Sequence, residues 1–135
     1  MSLKFLYGQN VPFDFSKFKE LSKLVQRDTL FPLAPNKPVV GDRVFTREAG
    51  ISIAGWMKYH LGSESYLPEV VGNSHGVFLG KKSGKHSIQW KLDQMGIKAS
   101  DEQMEKILVK VKKKSEETKT SVDDAEFRRI VDQVL

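Results

Sequence analysis

Residues 83–96, SGKHSIQWKLDQMG, and residues 100–111, SDEQMEKILVKV, decide the fold class. In the first stretch Ile88, Leu92 and Met95 form one stripe behind Ser83-Gly84, and Gly96 offers the left-handed C-terminal cap that a helix end favours. The second begins with the spacing of a capping box, Ser100 to Gln103, and carries Met104, Ile107, Leu108 and Val111 on one face. A third run follows, in which Ser121 with Asp124 predicts a helix start and Phe127, Ile130, Val131 and Val134 supply the stripe. Three short amphipathic helices joined by short loops pack most simply as a three-helix cluster.

Upstream, the signals are mixed. Asp14 to about Gln26 reads as an amphipathic helix with Phe18, Leu21, Leu24 and Val25 on its apolar side and Asp14 as its cap. Pro32, Pro35 and Pro38 exclude regular structure from Leu30 to Asp42 and predict a semi-rigid strap suited to linking lobes. From Val44 to Leu61, Phe45, Ala49, Ile53 and Trp56 suggest one or two short helices interrupted by Gly50 and Gly55. Ser65-Tyr66-Leu67 reads as a short extended stretch before Pro68. Val70-Val71, the turn Gly72 to Gly76 and Val77-Phe78-Leu79 suggest brief strands, with a small β-hairpin as the simplest pairing. The expectation is a mainly α chain in three parts: a helix and Pro-rich strap over 1–42, a helical linker subdomain over 43–64, and over 65–135 a subdomain of three helices and short strands.

The chain of 135 residues contains no cysteine, which removes disulfides, thiolate metal sites and cysteine nucleophiles and suits a reducing cytoplasm. No apolar run reaches the ~20 residues that span a bilayer, so no membrane partner is expected. Met1 to Leu3 read as a leader on a chain that began earlier. The net charge of +5 raises a nucleic-acid reading. The lysines at 110 and 112–114 are followed by Glu116, Glu117, Asp123 and Asp124, a pattern closer to a solvated helix surface than to a phosphate-tracking stripe.

His60, His75 and His86 stand apart from one another and from carboxylates at metal-ligand spacing, so no metal site is expected on this chain. One local feature stands out. Gly80 to Lys85 places two glycines, a serine and three lysines at a helix start, where free amides and the helix dipole favour an anion. Lys82, Ser83, Gly84 and Lys85 are therefore candidate anion-binding residues. The simpler reading is a capping serine among surface lysines.

Three consecutive blocks carry a resemblance. Asp14 to Val25 with Pro35 to Gly41, then Phe45-Thr46-Arg47-Glu48-Ala49-Gly50-Ile51 with Gly55 and Lys58, then Tyr66, Pro68 to Gly72 and Leu79 to His86 resemble the post-barrel region of isopropylmalate and homocitrate synthases. The resemblance runs from about Leu6 to Gly96. It implies a whole protein with a (β/α)8 barrel upstream, an acyltransferase condensing acetyl-CoA with a 2-oxo acid on a divalent metal. On this reading the fragment is inactive alone, holds no cofactor itself, and forms a homodimer with its C-terminal region swapped over the partner's active site. Glu48 and Tyr66 match motif positions expected to act in trans. Arg47, Ser52 and Ala54 stand where the family carries histidine, histidine and usually aspartate. Ser52 matters most, because an unactivated hydroxyl is no general base near neutral pH, whereas imidazole is. The resemblance also predicts an apolar patch around Phe18, Leu21 and residues 44–56 facing barrel or partner. The alternatives are a basic helical nucleic-acid module and a non-catalytic scaffold derived from the synthase.

Overall fold

The computed structural model describes residues 1–135, apart from the side chain of His60, so the reading of that histidine lies outside the description. The chain is mainly helical: α1 (Ser2–Phe5), α2 (Phe18–Thr29), α3 (Gly50–Lys58), α4 (Lys85–Gln94), α5 (Asp101–Thr118) and α6 (Asp124–Asp132). Two-residue strands β1 (Thr46–Arg47) and β2 (Gly76–Val77) join them, with single 3-10 turns at Phe15–Lys17, His60–Ser63 and Pro68–Val71. The residues gather into two compact units whose segments interleave along the chain. The first comprises Met1–Phe45 and Ser65–His75, the second Thr46–Glu64 and Gly76–Leu135. The breaks between them fall at 45/46, 64/65 and 75/76.

In the first unit Asp14 caps the 3-10 turn that leads into α2, accepting from the Ser16 amide at 3.0 Å. Phe15 is buried, with the Phe18 ring edge-on at 5.0 Å. The Pro-rich strap folds back as part of this unit. Its turns close through Gly41 N–H to Lys37 O at 2.8 Å and Arg43 N–H to Pro35 O at 2.8 Å. The Lys19 ammonium reaches from α2 to Val40 O and the Asp42 carboxylate, each at 2.6 Å, and Gln26 accepts the Leu33 amide at 2.9 Å. Gly72 is required where it stands. Its φ is +68°, and a Cβ there would lie 2.0 Å from Ser16 O.

In the second unit the strands are not a hairpin. β1 pairs in parallel with β2, Thr46 opposite Gly76 and Arg47 opposite Val77, while Val70-Val71 ends a 3-10 turn. Residues 65–75 include that turn, and a reversal through them cannot join neighbours in parallel register; the pairing is long-range instead. Leu79 forms a separate antiparallel bridge to Val122, whose amide donates to Leu79 O at 2.8 Å.

The three-helix cluster forms as its pattern dictates. Ser100 and Gln103 cap α5 reciprocally at 3.2 and 2.7 Å, and Gly96, at φ +66°, follows α4. The last helix is capped by Asp123, which accepts the Glu126 amide at 2.8 Å, instead of by Ser121. Ile53 and Trp56 of α3 join Val77, Leu79, Ile88, Leu92, Met104, Ile107, Val111, Phe127 and Val131 in one core. Two lysines of the α5 run reach across to α6 and its end, Lys114 to Glu126 at 3.0 Å and Lys110 to Gln133 at 3.2 Å. Among the described residues no helix is long and apolar enough to cross a membrane.

Phe127 is fully buried at the centre of this core. Phe127→Ala is expected to destabilise the second unit by about 3–5 kcal/mol, read as a lowered midpoint in urea unfolding followed by tryptophan fluorescence.

Candidate functional site

The glycine- and lysine-rich loop before α4 is built around a carboxylate from its own chain. Glu48 leaves β1 half-buried, and its Oε1 accepts the Lys82 amide at 2.9 Å. Its carbonyl accepts from the Ser87 hydroxyl at 3.1 Å, and that hydroxyl in turn accepts the Gly84 amide at 3.1 Å. The Ser83 hydroxyl, buried to 2% exposure, takes the Gly80 amide at 2.9 Å. Glycine at 80 is needed for this arrangement, since a Cβ would sit 2.6 Å from Glu48 Oε1.

A second close approach lies beside it. Gly50, the first residue of α3, meets Gly84, the N-cap of α4, so tightly that a Cβ on Gly50 would lie 2.6 Å from Gly84 Cα. Two glycines let the two helix starts cross backbone to backbone.

The candidate anion residues are thereby distributed. The Lys82 and Gly84 amides donate to Glu48 and Ser87, and the Lys85 ammonium pairs with Asp101 at 2.9 Å. The Lys82 side chain is exposed. Glu48 occupies from within the position that an external anion would take at the Lys82 amide.

Ser52 is exposed on α3, next to Ile51, which is 85% exposed; Met57 and Tyr59 are exposed as well. The expected patch over 44–56 is thus selective, because Phe45, Ile53 and Trp56 are buried. Tyr66 belongs to the first unit, and Glu48 and Ser52 belong to the second. The Tyr66 ring stands edge-on to Phe45 at 5.7 Å, and His75 stands edge-on to the same Phe45 at 6.4 Å. Burial holds the Tyr66 hydroxyl above the ordinary tyrosine value of 10.0, so it remains a proton donor at neutral pH.

Arg47 has a role that sequence reasoning did not find. Its Nη2 donates to Glu64 Oε1 at 2.5 Å and to Ser63 Oγ at 2.9 Å, and the guanidinium lies 5.2 Å from the Trp56 ring centroid. Both partners are shielded, at 13% and 6% side-chain exposure, so the pair pins the turn after α3. Its members lie 17 residues apart, beyond the reach of any local pattern. Among the described residues no three His, Cys, Asp or Glu side chains gather as a metal-binding set.

With this geometry in place, comparison with known proteins is specific. Residues 39–133 match the family described as homocitrate synthase post-HMGL domain-like. The (R)-citramalate synthase CimA of Methanocaldococcus jannaschii is 41% identical over 133 residues, 98% of this chain and 27% of its own length. The homocitrate synthase AksA of Methanothermobacter thermautotrophicus is 35% identical over 99% of the chain and 34% of its own length. A probable 2-isopropylmalate synthase of Methanopyrus kandleri is 39% identical over 83% of the chain and 22% of its own length. The chain therefore spans about a quarter to a third of the relatives it matches.

Two outcomes follow from the site. Glu48→Gln keeps an acceptor oxygen and is expected to be nearly neutral, whereas Glu48→Ala leaves the exposed Lys82 amide to water and costs about 0.5–1.5 kcal/mol in denaturant titration. In an ultraviolet pH titration, Tyr66→Phe is expected to remove the tyrosinate signal whose midpoint burial holds above the ordinary tyrosine value. The sign follows from burial: the raised folded value favours the neutral phenol, and this contribution to stability is lost as pH rises through it.

Proposed function

This chain belongs to the homocitrate synthase post-HMGL domain-like family, and we propose that it is the post-barrel segment of an acyltransferase that condenses acetyl-CoA with a 2-oxo acid. The observation that carries the proposal is the family match over residues 39–133, joined to relatives named as citramalate, homocitrate and isopropylmalate synthases. The segment's role is that of a clasp between two subunits and a cover over the partner's active site, with no turnover of its own. The exposed residues of α3 and of the position after it, Ile51, Ser52, Met57 and Tyr59, are offered to that partner.

Within this reading the three motif residues divide their roles. Glu48 is a positioning residue, because its carboxylate is committed to the loop before α4. Ser52 presents a hydroxyl that removes no proton from a carbon acid near neutral pH, so the base for acetyl-CoA lies elsewhere in the whole enzyme. Tyr66 keeps its proton and is suited to donate a hydrogen bond to an oxygen that gains negative charge. The divalent metal and acetyl-CoA implied for the whole enzyme find no metal donor set among the described residues here, so no step is assigned through them on this chain. Closure of such a cover excludes water and holds reactants in register.

The test is release of CoA thiol by the full-length protein from acetyl-CoA, assayed with a panel of 2-oxo acids. One of them is expected to support turnover, the 135-residue chain alone to support none, and Tyr66→Phe to lower kcat about tenfold or more. A full-length protein that releases no CoA with any 2-oxo acid is instead a non-catalytic scaffold. Turnover by the isolated chain would overturn the assignment.

A further inference from the structure

Among the described residues, three other than glycine have a left-handed backbone: Leu30, Val39 and Lys119. Leu30 and Lys119 are the C-caps of α2 and α5, where that conformation is ordinary. Val39 caps no helix. Its φ of +74° falls in the Pro-rich strap, and the Val40 amide closes over it onto Pro38 O at 2.9 Å. A hydrogen bond spanning one residue at that φ is the strained form of the γ-turn, and a β-branched side chain adds to the strain. Such a conformation persists only where its surroundings over-determine it.

The surroundings that hold Val39 are specific. Within the strap Pro38 restricts the backbone immediately upstream, and the Gly41 and Arg43 amides donate to Lys37 O and Pro35 O, each at 2.8 Å. Two further ties come from outside the strap. The Lys19 ammonium, on a side chain only 12% exposed, spans Val40 O and the Asp42 carboxylate, and Asn73 Nδ2 donates to Gly41 O at 3.1 Å. They arrive from 21 and 32 residues away, so neither belongs to the local geometry of the turn. Asn73 lies on the segment Ser65–His75, which also carries Tyr66.

We propose that residues 35–43 form a sprung latch, in which Lys19 and Asn73 hold Val39 in its left-handed turn and loss of either tie lets the strap open as a unit. Opening returns Val39 to an ordinary φ, so the strain stored in the closed form favours release. Because Asn73 is one of the ties, an open latch also loosens the hold on the segment bearing Tyr66. That consequence bears on catalysis only under the acyltransferase reading; the latch is independent of it.

The test is amide hydrogen exchange of the full-length protein, read by mass spectrometry on peptides covering residues 40–45. Val39→Gly and Val39→Ala both remove the isopropyl group, but only glycine takes the left-handed turn without strain. The Gly41 and Arg43 amides are expected to exchange about threefold or more slowly in Val39→Gly than in Val39→Ala. Lys19→Met keeps the apolar stem and is expected to speed the same amides about tenfold or more, leaving the Ile107 amide of the core unchanged. Asn73→Ala takes its place should Lys19→Met fail to fold, with an acceleration of about threefold expected. Equal or faster exchange in Val39→Gly than in Val39→Ala overturns the proposal, because the turn then stores no strain. Unchanged exchange at Gly41 and Arg43 on loss of the tie also overturns it. So does acceleration that extends to Ile107, since the strap then opens only with the rest of the protein. CoA release enters none of these readings, so failure of the enzymatic assignment leaves them interpretable.

Discussion

The contact between Glu48 and the Lys82 amide, with Gly50 crossing Gly84 beside it, is the constraint on which the second unit depends. These residues bring the start of α3 against the start of α4 and fix the loop between β2 and α4. A side chain at position 50, 80 or 84 would meet backbone or carboxylate within 3.0 Å. Once the loop is held, Leu79 reaches Val122 and the core of α3, α4, α5 and α6 closes around Phe127. The carboxylate takes the Lys82 amide from across the chain, and the absence of a side chain at Gly80 leaves room for it.

This arrangement changes what the lysine-rich loop means. Free amides at a helix start invite an anion, and here the chain supplies one from residue 48. The same economy governs Arg47, which puts a guanidinium on Trp56 and Glu64. Residues that resemble the functional motif of the family therefore divide into those that hold the backbone, Arg47 and Glu48, and those left at the surface or beside an aromatic cluster, Ser52 and Tyr66.

The first unit follows another logic. Its cohesion comes from Phe15 and from polar ties such as Lys19 to the Pro-rich strap, and its most apolar helix side is left outside. The apolar material that would serve as a core in an independent domain is presented as a surface.

Sequence alone determined the elements whose information is local. The helical stripes of α4, α5 and α6, the capping box at Ser100, the cap at Asp14 and the glycine after α4 are all readable over one or two turns. The serial motif blocks identified the family for the same reason, since each is a contiguous string. Tertiary structure decided the rest. It paired β1 with β2 in parallel across 30 residues, where adjacency had suggested a hairpin, and it folded the Pro-rich strap into a unit instead of leaving it as a linker. It turned the polar side of α2 inward and committed Glu48 to a loop 34 residues away. Periodicity shows that a helix has an apolar side, but which surface that side meets depends on contacts between residues far apart in the chain.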